Sequence, residues 1–76
     1  MWPMDDIDFE LRGEYIPLDA LLKATGLAPS GGGARMLITD GQVLVDGLVE
    51  LRKTCKIRAG QRVSLGDVQV TVSAAG

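Results

Sequence analysis

A chain of 76 residues with 46% hydrophobic and 24% charged side chains has apolar mass for one small core, which excludes both a disordered chain and several domains. No apolar run approaches the ~18 residues that cross a membrane. One cysteine and no histidine exclude an intrachain disulfide and a zinc-type site. A lone thiol fits a reducing compartment, so a cytoplasmic location is expected. The start, Met1 to Asp6, lacks a basic region followed by an apolar stretch, so no secretory signal is expected. The formal net charge is −2, yet residues 1–22 carry −5 and residues 23–62 carry +4. Such asymmetry can mark a nucleic-acid surface; an ordinary mix of solvated charges fits the totals as well.

Ile7, Phe9 and Leu11 alternate with Asp8, Glu10 and Arg12, the period of a strand with one buried face. Pro17 suits the first position of a helix. Leu18, Leu21 and Leu22 follow at helical spacing, with Asp19 in the first turn and Lys23 near the last, each favoured by the helix dipole. Gly26 is the expected end, and Leu27 can fold back on that helix before Pro29 stops any continuation.

The next stretch, Ser30-Gly31-Gly32-Gly33-Ala34-Arg35, combines opposed signals. Ala34, Leu37 and Ile38 have helical spacing, Ser30 is a good N-cap and Gly41 a good stop. Three glycines at the start cost up to ~1 kcal/mol each relative to alanine. Gly31 falls near the apolar stripe, where it would permit close helix packing. Gly32, Arg35 and Thr39 fall together on an outer flank.

After Gly41 the period changes again. Val43 to Val45 lead into Asp46-Gly47, a strong hairpin turn, then Leu48 to Leu51. A basic segment, Arg52 to Arg58, is expected to be extended, with Cys55 and Ile57 on one face and Arg52, Lys56 and Arg58 on the other. Val63 and Leu65 pair with Val68, Val70 and Val72 across Gly66-Asp67, where glycine first suits a type II′ turn. The sum is an α+β domain spanning residues 1–76: two helices packed on a small antiparallel sheet, with frayed ends at about 1–6 and 73–76.

Residues Leu18-Asp19-Ala20-Leu21-Leu22, Ser30-Gly31, Ala34-Arg35 and Ile38 to Gly41, with Val43, Val45-Asp46-Gly47 and Gly60-Gln61-Arg62-Val63, cover about fifty residues in a specific order. In that order they resemble the S-four RNA-binding domain, named after a small-subunit ribosomal protein, and above all its short stand-alone bacterial members. The resemblance implies an αL-shaped unit, two helices on a twisted hairpin, with RNA along one side. It also implies that Arg35 and the segment Arg52–Arg58 make the contacts. The sequence departs from the common pattern where a basic residue often opens the first helix, since Ile16-Pro17 stands there. It departs again beside the serine of the second helix, where Gly32 and Gly33 stand. A shallower RNA site is implied.

The residues themselves support a phosphate site. The first N–H groups of a helix lack intrahelical partners and sit at the positive end of its dipole, and glycine allows the closest approach. Ser30, Gly31, Gly32, Gly33 and Arg35 would then meet a phosphate together. The alternative is a permissive loop with glycines needed only for packing. Arg52, Lys53, Lys56 and Arg58 add positive charge beyond what an edge strand needs against aggregation. Trp2, Phe9 and Tyr15 all lie far in sequence from this segment, so no base-stacking platform is expected, and recognition of structured RNA by shape and backbone fits better. Ribosomal and transfer RNA are examples of that class. Cys55 has basic neighbours that would lower its pKa, but its alternation with Ile57 reads as a small buried hydrophobe. Asp5, Asp6 and Asp8 read as solvated charges. No enzyme, cofactor, metal or membrane partner is expected, and the chain is expected to be a monomer. Two other readings stand beside this one: a sulfur-carrier or ubiquitin-like protein, which needs a C-terminal Gly-Gly where this chain has Ala75-Gly76, and a protein-interaction module without RNA.

Overall fold

The computed structural model describes residues 5–75. Trp2 and the expected fraying of residues 1–4 and of Gly76 lie outside them. The α+β class stands: two short helices pack on a sheet. Strand β1 (Asp5–Leu11) leads through the two-residue strand β2 (Ile16–Pro17) into helices α1 (Leu18–Ala24) and α2 (Gly31–Thr39). Strands β3 (Val43–Val45), β4 (Leu48–Val49), β5 (Lys56–Ile57), β6 (Arg62–Leu65) and β7 (Val68–Ala74) follow. The main sheet has the order β1-β7-β6-β3-β4, and β2 pairs with β5 in a separate ribbon.

The main sheet is mixed, not antiparallel as the sequence suggested. β1 runs parallel to β7, with Ile7 opposite Val70, Phe9 opposite Val72 and Leu11 opposite Ala74. Both strands carry an apolar residue at every second position, so this register turns both apolar sets to the core. The pairing also orders segments expected to fray: Asp5 and Asp6 lie opposite Val68 and Gln69, and Ser73 and Ala74 opposite Glu10 and Leu11.

Leu18, Leu21 and Leu22 of α1 and Ala34 and Ile38 of α2 are fully buried, together with Val43, Ile57, Val63 and Val70. A seven-residue helix is marginal alone, but burying a leucine is worth about 1.5–3 kcal/mol, so packing and not propensity holds α1. Pro17 is the N-cap and not the first helical residue. Its extended backbone (φ −60°, ψ 143°) lies opposite Lys56 of β5.

The turn chemistry follows the sequence. Asp46 (φ 51°) and Gly47 (φ 85°) both take the left-handed region, as a type I′ turn demands. In the β6–β7 turn the positive φ falls on Gly66 alone, as type II′ requires. The basic segment is not one extended run. It bends at Lys53-Thr54, where Cys55 N–H donates to Arg52 C=O at 3.2 Å, and only Lys56–Ile57 is strand. The inward face is nonetheless as read: Ile57 is buried and Cys55 half-buried.

Candidate nucleic-acid interface

The two helix starts differ in what occupies them. At α1, Leu18 N–H donates to Cys55 C=O (2.9 Å) and Asp19 N–H to Lys53 C=O (3.0 Å). The basic loop thus docks on the positive end of α1 and closes it. At α2, Ser30 Oγ accepts from Gly33 N–H at 3.1 Å, the expected N-cap bond. The N–H groups of Gly31 and Gly32 find no acceptor among the described residues. They form an open, positively polarised backbone edge.

The glycines have distinct surroundings. A Cβ on Gly31 would lie 3.2 Å from Arg35 Nη2, so the guanidinium folds over Gly31, and this residue does not mediate the helix packing that its position suggested. A Cβ on Gly33 would lie 3.3 Å from Pro29 Cδ. Gly32 faces open space, with Ser30 Oγ as its nearest neighbour at 3.9 Å. Gly32, Arg35 and Thr39 are exposed on the outer flank, as their spacing implied.

Arg35 Nε lies 3.6 Å from Asp19 Oδ2. Since Asp19 N–H is bonded to Lys53 C=O, this contact ties Arg35 to the basic loop although they are distant in sequence. The charge asymmetry implies an acidic N-terminal part on another side, away from the basic residues, and Asp19 departs from that. Asp5, Asp6 and Asp8 belong to β1, one edge of the sheet, whereas Asp19 lies beside Arg35.

The basic residues are not equivalent. Arg52 makes a two-pronged contact with Glu50, from Nε to Oε2 (2.9 Å) and from Nη2 to Oε1 (3.2 Å), while its backbone N–H donates to the same carboxylate at 2.9 Å. These bonds pull the Glu50 carboxyl from 4.5 down to about 2 and push the Arg52 guanidinium above its ordinary value. Arg52 is therefore largely satisfied within the chain and offers less free charge than the composition of the segment implied. The acid that opposes it stands two residues upstream. Burial pushes the Cys55 thiol up, not down, which leaves it a small apolar side chain with no activated thiolate. Arg52, Thr54, Cys55 and Lys56 line a shallow groove of about 400 Å³.

Lys53, Lys56 and Arg58 make no ion pair among the described residues. Lys56 and Arg58 instead flank Tyr15. Lys56 Nζ lies 5.0 Å and the Arg58 guanidinium carbon 5.9 Å from the ring centroid, contacts worth about 0.5–1 kcal/mol each at an exposed site. The β2–β5 ribbon causes this. Ile16 pairs with Ile57 and Pro17 with Lys56, so the next step of the register puts Tyr15 opposite Arg58. Tyr15 is far from these cations in sequence and beside them in space. Arg58 is positioned further by a polar latch: its N–H donates to Gln61 Oε1 (2.7 Å), Gln61 Nε2 donates to Asp46 Oδ2 (3.2 Å), and Arg62 N–H donates to Asp46 Oδ1 (3.0 Å).

Two helices packed on a sheet, with a glycine-rich helix start beside a basic loop, define a small α+β domain with one candidate anion-binding edge. The S4 domain family model matches residues 9–73, and the chain belongs to that family. It is 50% identical over 60 residues to the Escherichia coli (strain K12) protein named "Putative RNA-binding protein YbcJ", covering 79% of this chain and 86% of that one. A Shigella flexneri YbcJ protein matches to the same degree. The solution structure of E. coli YbcJ, described as revealing an αL motif involved in RNA binding, superimposes with a TM-score of 0.67 at 43% identity. That match covers 97% of this chain and 92% of the other.

Proposed function

We propose that this chain is an RNA-binding module that engages structured RNA, of the ribosomal or transfer class, chiefly through phosphates. One observation carries the reading. The open N–H groups of Gly31 and Gly32 stand at a helix start beside Arg35, which is linked through Asp19 to a loop whose Lys53, Lys56 and Arg58 have no carboxylate partner among the described residues. A phosphate backbone meets dipole, guanidinium and ammonium groups along one continuous surface. The resemblance to relatives named for RNA binding supports this, and a Cys55 thiol that burial keeps protonated favours binding over thiol catalysis. A monomer acting in the cytoplasm suits that role. Arg52, held by Glu50, contributes least. Fluorescence anisotropy with one labelled structured RNA tests the proposal. Joint replacement of Lys53, Lys56 and Arg58 with alanine should weaken binding at least about tenfold while the fold is kept. Unchanged affinity refutes it.

A further inference from the structure

Tyr15 is a partly exposed aromatic ring set between two cations, Lys56 and Arg58, on a basic surface. It is 42% exposed, and no hydrogen bond holds its hydroxyl among the described residues. With Ile16 packed on the core, the strand period turns Tyr15 to the outer side of the ribbon. Here the outward positions of the β2–β5 ribbon gather the ring, Lys56 and Arg58 on one side. A phosphate held by Lys56 would place a neighbouring base within reach of the ring. Aromatic faces accept any base by stacking, and the gain is large when that base is already unpaired.

We infer that Tyr15 is a stacking site for one unpaired base, with Lys56 and Arg58 holding the adjoining phosphates. The inference rests on the RNA reading above and narrows its substrate class: structured RNA that carries a bulged or looped-out nucleotide, in preference to a fully paired stem.

The test uses two hairpin RNAs with the same number of phosphates. One carries a single bulged 2-aminopurine, the other an abasic residue at the same place. The wild-type chain should bind the base-bearing hairpin about tenfold more tightly, and 2-aminopurine emission should fall as the base stacks. Tyr15→Phe should keep the preference, since the ring remains. Tyr15→Leu should bind both hairpins alike. Lys56→Ala should weaken both. Equal wild-type binding to the two hairpins, with salt-sensitive affinity retained, overturns the stacking site and leaves the phosphate reading standing. A preference that survives in Tyr15→Leu also overturns it. Failure of the wild type to bind either hairpin removes the RNA reading and this inference with it.

Discussion

Arg35 reaches back from α2 to Asp19 at the start of α1, Nε to Oδ2 at 3.6 Å, so one acid sits among the cations of the proposed surface. The Arg35 side chain is 54% exposed and that of Asp19 19%, so water still reaches the pair, which contributes about 1 kcal/mol or less. Asp19 also favours the α1 dipole. Asp19→Asn should therefore cost about 0.3–1 kcal/mol of stability and still bind RNA several-fold more tightly at low salt. Parallel melts and binding curves check this. Weaker binding in the folded variant would mean that Asp19 positions Arg35 productively.

The N-cap bond of Ser30 should be measurable. Ser30→Ala removes the acceptor for Gly33 N–H and should cost about 1 kcal/mol, or about 4–8 °C in Tm for a domain of this size. Ser30→Asp should hold stability near wild type. An unchanged melt in Ser30→Ala would show that water caps the helix as well.

Gly32 and Gly33 should respond to different degrees. Gly32 has open space around an added Cβ, so Gly32→Ala should raise stability by about 0.5–1 kcal/mol. Gly33→Ala would press on the exposed Pro29 ring, which must shift by a few tenths of an ångström, so its gain should be smaller than that of Gly32→Ala. If the open backbone meets phosphate, Gly32→Leu should weaken RNA binding despite a sound fold. Melts and anisotropy on these variants separate the two effects.

Glu50 offers a pH signature. Its folded pKa, about 2, lies below the ordinary 4.5, so the Glu50–Arg52 pair contributes stability above pH 4.5 that is lost as pH falls through about 2. An NMR titration should place the Glu50 carboxyl near that value in the wild type and return it toward 4.5 in Arg52→Ala. The same variant should change RNA affinity less than Lys56→Ala does.

Much of the fold was legible because local chemistry determined it. The leucines of α1, the Ser30 cap and the two hairpin turns each carry their own signal, and each appears where expected. The parallel β1–β7 pairing was not legible, since strand alternation states which face is buried and nothing about the partner. The candidate site was legible only in part for the same reason. Arg35 and the loop cations carry a charge signal, whereas Tyr15 joins them only through the β2–β5 register. Glu50 was legible in principle. It stands two residues before Arg52, on the same side of an extended chain, and was outweighed by the run of positive charge after it.

The most direct test of the central claim is a salt titration of affinity for one structured RNA, with wild type and Lys56→Ala compared. If Arg35, Lys53, Lys56 and Arg58 meet phosphates, the log–log slope should be about −3 or steeper, and affinity should fall about 50-fold between 50 and 200 mM salt. In Lys56→Ala the slope should be shallower by nearly one unit, with all RNA sequences weakened alike. A flat slope, or a variant indistinguishable from wild type at matched folding, would contradict a phosphate-binding surface.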